Sequence, residues 1–272
     1  HAADDRDQRE RRDRDDRAGT AALTRREVLP GRGGRRPRLD LGAGNNNTEL
    51  RSPNADYYTP EQRIGGYDDQ RPWETCMTLG TQWSWKPDDT IKSAKEVIHI
   101  LARTVGGDGN LLLNVGPMPD GRIEPRQVEV LREVGSWLER NGESIYGTRG
   151  GPFQPTSSLV STRKGNIIYV HVLQWDNERL ALPPLPKKII KSQLLAGGTA
   201  SVVQTDSGMT LTVPHPDSRR IDTIVKLTLD GPADEIPPLD VAGSGGALPE
   251  KKPALHGSTG TWMALTWPRL PA

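Results

Sequence analysis

Aromatic residues are scarce in this 272-residue chain, which has a single phenylalanine and only 5% Phe, Trp and Tyr together. A core built chiefly on stacked rings is excluded, and any local concentration of rings calls for a reason. Cysteine is as scarce as phenylalanine. The lone Cys76 excludes an intramolecular disulfide and a cysteine-based zinc site, and it leaves the redox compartment unreadable. No run of about 18 apolar residues is present, so no segment reads as a bilayer-spanning helix. The first residues also lack the apolar stretch of a signal peptide. Charge of one sign is missing too: Lys and Arg number 36 against 35 Asp and Glu. That balance gives no global pull toward nucleic acid or an anionic membrane.

Apolar residues make up 33% of the chain and mean hydropathy is −0.64, which implies solvated ends around an ordinary folded middle. His1 to Arg17 is dense in Asp and Arg with no apolar side chain larger than Ala, and Pro30 to Arg38 is rich in Gly and Arg. Such sequence cannot bury enough surface to offset its ordering entropy, so residues 1–44 are expected to be a disordered charged segment. An arginine-rich nucleic-acid arm is the alternative. Asp nearly balances Arg there and no aromatics are interleaved for base stacking, so no nucleic-acid partner is expected. Past Pro232 the chain returns to Pro, Gly and Ser, and 232–272 is expected to be a flexible tail carrying Trp262 and Trp267.

The middle is patterned. Ile91, Ala94, Val97, Ile98, Leu101 and Ala102 recur at helical spacing, after an Asp88-Asp89-Thr90 capping run and before Gly106-Gly107. Asn110 to Val115 is a nearly continuous apolar run, the pattern of a buried parallel strand. Pro125 opens a second helix whose apolar face is Val128, Leu131, Val134, Trp137 and Leu138. Helix, strand, loop and helix in that order is α/β-barrel grammar. From Phe153 onward the pattern changes to short β-rich runs: Asn166–Leu173, Lys188–Leu195, Ser201–Gln204, Met209–Val213 and Thr223–Leu229. Gly, Asn, Pro and Asp turns separate them, which predicts antiparallel strands in a sandwich.

The scarce rings gather in one place. Pro72 to Trp85 holds Trp73, Trp83 and Trp85 with one carboxylate, Glu74. A single acid against aromatic walls is how a protein grips a sugar ring and holds a carboxyl group protonated. The competing reading is three core indoles beside an exposed Glu. Cys76 reads as a buried small residue, since no His lies nearby to lower its pKa. Asn114 ends the apolar run, either at a barrel's site face or as a loop cap. The run Gly106-Gly107-Asp108-Gly109 precedes a strand and no helix N-terminus follows it, so it is not a phosphate cradle. His99 falls on a helix, while His171 and His215 share no ligand spacing, so no metal is expected.

Several blocks occur in a fixed order: Asp56-Tyr57-Tyr58-Thr59-Pro60-Glu61-Gln62, Trp73-Glu74-Thr75-Cys76, Gly109 to Pro117, Asp120-Gly121-Arg122-Ile123 and Asn141 to Thr148. Together they resemble the second half of the catalytic domain of glycoside hydrolase family 29, the alpha-L-fucosidases. The resemblance implies an α/β fold: residues 45–152 as the C-terminal part of a (β/α)8-like catalytic barrel, followed by a small β-sandwich at 153–231. It implies a retaining hydrolase of alpha-L-fucosyl linkages, needing no cofactor, whose partner is a fucosylated oligosaccharide or glycoconjugate and not a membrane. Full-length relatives are expected to be secreted, periplasmic or lysosomal.

Retention requires two carboxyl groups about 5 Å apart, a nucleophile and an acid/base. The resemblance puts Glu74 at the acid/base or beside it. Trp85 is the first candidate to stack on the sugar's methyl-bearing face, with Trp73 and Trp83 as further binding residues. Asn46, within Asn45-Asn46-Asn47, is the candidate for the sugar hydroxyls, with a plain turn as the alternative. The family's Trp-x-Asp-Gly nucleophile block does not precede Asn45, since the first tryptophan is Trp73. The 272 residues by themselves are therefore expected to be weakly active or inactive, and the alternative role is a fucosylated-glycan binding module.

Overall fold

The computed structural model describes residues 57–214 and 221–242. The charged segment 1–44, Asn45 to Asn47 with Asn46, His215, and the stretch carrying Trp262 and Trp267 lie outside the described residues.

The described chain opens on a parallel pair. Strand β1 (Glu74–Thr78) lies beside β2 (Asn110–Asn114), with Glu74 opposite Asn110 and Thr78 opposite Asn114. Residues 58–62 run parallel along the other edge of β1, bridging Tyr58 to Trp73 and Glu61 to Cys76. The Glu74 amide donates to the Tyr58 carbonyl at 2.8 Å and the Gln62 amide to the Cys76 carbonyl at 2.8 Å. A crossover helix, α1 (Ala94–Gly106), joins β1 to β2, as parallel pairing requires. Its start is set by a capping box three residues after the expected Asp88-Asp89-Thr90 run. The Ser93 hydroxyl accepts the Glu96 amide, and the Glu96 carboxylate accepts the Ser93 amide at 2.8 Å. Helix α2 (Pro125–Asn141) begins at Pro125, where the missing N–H costs nothing. Leu79, Val97, Ile98, Val115, Val134 and Trp137 form the core between strands and helices.

The remaining strands are antiparallel. Strands β3 (Arg149–Gly150), β4 (Leu159–Lys164), β5 (Ile167–Val172), β7 (Ile189–Leu194) and β10 (Thr223–Leu229) make a five-stranded sheet in the order β3-β4-β5-β10-β7. Strands β6 (Arg179–Leu182), β8 (Ser201–Thr205) and β9 (Gly208–Thr212) make a three-stranded sheet in the order β6-β9-β8. Alternation along β5 and β10 sorts the side chains between two faces. Ile168, Val170, Val225 and Leu227 share one core with Met209 and Leu211 of the smaller sheet. Tyr169 and Ile224 point the other way, into the core with α1 and α2. Two helices and three sheets make up the described residues, most of the elements being strands.

Strand β4 was not anticipated because its inward positions are polar. Ser161, Thr162 and Arg163 are buried, and Arg163 Nη1 donates to the Ala233 and Ile236 carbonyls at 3.1 and 2.6 Å. Those acceptors also correct the expected tail at its near end. Ala233, Ile236 and Val241 enter the core of the two antiparallel sheets, and the Leu239 amide donates to the Pro152 carbonyl at 2.8 Å. Pro and Gly content signalled disorder there. Spaced apolar residues reaching a strand edge supply the burial that ordering needs. A buried clamp fastens the α1–β2 turn to β3: the Asp108 carboxylate accepts Arg149 Nη2 at 2.6 Å and the Gly150 amide at 2.8 Å.

Candidate functional site

Strand alternation divides the fourteen-residue tryptophan segment into parts with different surroundings. Trp73 points to the helix side. It is 3% exposed, its Nε1–H donates to the Gly107 carbonyl at 3.2 Å, and a Cβ on Gly109 would lie 2.4 Å from its ring. The glycine-rich turn before β2 is thus a seat for an indole, and Trp73 is enclosed rather than open to a sugar. Glu74 and Cys76 occupy the opposite face of β1, and both are half-buried. Glu74 stands at the amino end of β1. Thr78 is four residues further on, about 13 Å along an extended chain. Trp73 lies behind that acid and Trp83 and Trp85 lie past the strand's far end, so the expected three-sided indole wall does not form around it.

Burial alone holds the Glu74 carboxyl above its ordinary pKa. The Cys76 thiol is pushed up to about 11 by burial and by the carboxylates of Glu61 and Glu74, so it is no thiolate nucleophile. Those influences bring out a residue with no assigned role in the sequence reading. Glu61, bridged to Cys76, puts a second carboxylate by the same face, nearer the carboxyl ends of the strands. Its signal lay in Thr59-Pro60-Glu61-Gln62, where the half-buried acid forms an isolated bridge to β1.

The carboxyl ends of the strands carry the other cluster. Gln62 Nε2 donates to the Thr78 hydroxyl at 3.0 Å, and Lys92 Nζ donates to the Thr78 carbonyl at 2.6 Å. Asn114 is buried and its Nδ2 donates to the Trp83 carbonyl at 2.8 Å, so it anchors the loop after β1. Trp83 and Trp85 are both half-buried, but they are held differently. The Trp85 indole N–H donates to Glu124 Oε2 at 3.1 Å. A Cβ on Gly116 would come within 2.4 Å of the Trp85 backbone nitrogen, so the loops after β1 and β2 are in direct contact. Asp89, 5% exposed, accepts the Thr81 amide at 3.0 Å and pairs with Lys86 at 3.3 Å. Burial would raise its pKa, but the Thr81 hydrogen bonds and the Lys86 charge outweigh that and hold it low.

The histidines lie elsewhere. His171 is fully buried, with Nδ1 2.6 Å from Asp222 Oδ2, and His99 Nε2 meets the Ile221 carbonyl at 2.6 Å. No group of three or more His, Cys, Asp or Glu with metal-site geometry occurs among the described residues. None of their helices is long and apolar enough to cross a membrane.

Residues 39–143 match the family model for alpha-L-fucosidase. Over that region the chain is similar to the alpha-L-fucosidase family. An alpha-L-fucosidase of Branchiostoma floridae is 33% identical over 177 residues, covering 61% of this chain and 39% of that protein. The tissue alpha-L-fucosidase of Homo sapiens is 33% identical over 154 residues, covering 53% of this chain and 33% of that protein. Among solved structures, alpha-L-fucosidase isoenzyme 1 from Paenibacillus thiaminolyticus aligns with TM-score 0.58 and 31% identity, over 64% of this chain and 45% of that one. The Thermotoga maritima alpha-fucosidase in complex with fucose aligns with TM-score 0.54 and 26% identity, over 65% and 43%. The chain therefore spans less than half the length of these alpha-L-fucosidases. The family match takes in β1, β2, both helices and the loops bearing Trp83, Asn114 and Glu124.

Proposed function

We propose that residues 45–152 are the C-terminal part of a (β/α)8-like alpha-L-fucosidase barrel, that 153–231 is its trailing β-sandwich, and that the whole protein hydrolyses alpha-L-fucosyl linkages with retention. One observation carries this reading: the family match runs through the two parallel strands whose carboxyl ends gather Trp83, Asn114 and Thr78, the end where α/β enzymes bind ligands. The face of β1 with Glu74 and Cys76 is then the barrel interior. Trp83 is the ring offered to the apolar side of the sugar, and Trp85 is its anchor.

The acid is proposed as Glu74, whose burial favours the protonated form that a leaving group needs. A second reading assigns that role to Glu61, on the strength of its place nearer the carboxyl ends. Because the 272 residues contain no Trp-x-Asp-Gly block, they are proposed to bind fucose without turning over its glycosides.

Calorimetric titration of this chain with L-fucose, beside release of aryl alcohol from an aryl α-L-fucoside, tests the reading. Binding is expected, with loss on Trp83→Ala and negligible aryl release. Absence of binding would remove the sugar site. Turnover matching a full-length relative would overturn the expected inactivity. In an active full-length protein, whichever of Glu61→Gln and Glu74→Gln abolishes the alkaline limb of the pH–rate profile names the acid.

A further inference from the structure

Helix α2 begins with a carboxylate that does not serve the helix. Glu124 occupies its N-cap position, where an acidic side chain ordinarily accepts the free amides of the first turn, yet its side chain makes no cap hydrogen bond. The residue is buried, and both carboxylate oxygens are engaged elsewhere. Oε2 accepts the Trp85 indole N–H at 3.1 Å, and Oε1 is paired with Arg126 Nε. Arg126 carries the connection onward, donating from Nη1 to the Asp89 carbonyl at 3.0 Å. Asp89 then closes the loop on itself through the Thr81 amide at 3.0 Å and hydroxyl at 2.5 Å. A buried carboxylate is costly unless its oxygens are satisfied. Here Arg126 of the helix satisfies one oxygen, and the neighbouring β1–α1 loop, which bears Trp83, satisfies the other.

We propose that Glu124 is a positioning residue for the sugar platform: through Trp85 it fixes the β1–α1 loop so that the Trp83 ring is held ready at the carboxyl ends of the parallel strands. The proposal rests on reading that end as the fucose site, and it goes further by assigning the loop's order to one side chain outside it. Asn114 holds the Trp83 carbonyl from below at 2.8 Å, so the ring is located by its own backbone and by its neighbour two residues on. Ordering a loop before the ligand arrives removes that cost from the binding step.

The test uses the full 272-residue chain labelled with 5-fluorotryptophan, with the resonances assigned by Trp83→Phe and Trp85→Phe. Glu124→Ala is expected to move the Trp85 resonance and also to shift and broaden that of Trp83. L-fucose affinity should fall roughly tenfold, the scale of one lost hydrogen bond to a charged group. Glu124→Gln retains an oxygen acceptor for the indole and is expected to restore the Trp83 line. If Glu124→Ala does not fold, Trp85→Phe deletes the same hydrogen bond from the other side and must perturb Trp83 alike. A Trp83 resonance unmoved in the variant that folds, or unchanged fucose affinity in a chain that binds fucose, overturns the proposal. A native chain that binds no fucose defeats the sugar reading alone, since the Trp83 resonance still decides the positioning.

Discussion

The parallel pair and the antiparallel sheets are built from similarly apolar strands, yet they differ in how completely they close. In the five-stranded sheet, β5 is buried at every residue but its first, one face against the smaller sheet and the other against the helices. In β2, Leu111, Leu112 and Leu113 are all only half-buried. Leu113 packs toward the helices, while Leu112 shares with Cys76 the face that points away from them. One region has both faces of its central strands covered, by the smaller sheet and by the helices. In the other, the helices cover a single face of the strands.

This contrast can be broken most directly in the closed region. Leu227, fully buried between the two antiparallel sheets, should lose about 3 kcal/mol of stability when replaced by Ala, read by urea unfolding. A loss below about 1 kcal/mol would mean that this core is no better closed than the parallel pair. Leu112→Ala on the open face should cost under about 1 kcal/mol in this chain, because the side chain is already half in water. The same substitution in a full-length relative should approach the Leu227 scale, and equal costs in both settings would show that nothing covers that face.

The smallest effect is a pH dependence. Glu74 has its folded pKa raised by burial, so the stability tied to its protonation is present below the ordinary glutamate value and is lost as pH rises through the folded value. Glu74→Gln should therefore gain on the native chain as pH rises above the ordinary glutamate range, in midpoints of urea unfolding. A difference independent of pH would mean that Glu74 is fully hydrated.

Much of the architecture was legible beforehand, and the misses share a cause. Both helices were visible because their apolar residues recur at helical spacing, and Asn110–Asn114 because it is a short apolar run. Strand β4 escaped because burial of Ser161, Thr162 and Arg163 depends on acceptors reached only after folding, among them the Ala233 and Ile236 carbonyls. Residues past Pro232 were taken for tail because composition reports average polarity, not the few apolar side chains that reach the core. At the site, the sequence marked the tryptophan segment but could not divide its duties. Trp73 sits on the helix face, Trp85 is tied to Glu124 thirty-nine residues away, and Trp83 is half-buried in the loop that Asn114 anchors.

Local spacing and short-range capping belong to the chain itself: they need only neighbours within a few residues, so the order of helices and strands could be read directly. The partners of each indole and carboxylate were settled by the fold, because hydrogen bonds across loops and the burial that shifts an acid depend on contacts distant in sequence. Which face of β1 meets helices and which stays open is the clearest case. Alternation fixes that two faces exist, and only packing says what covers each.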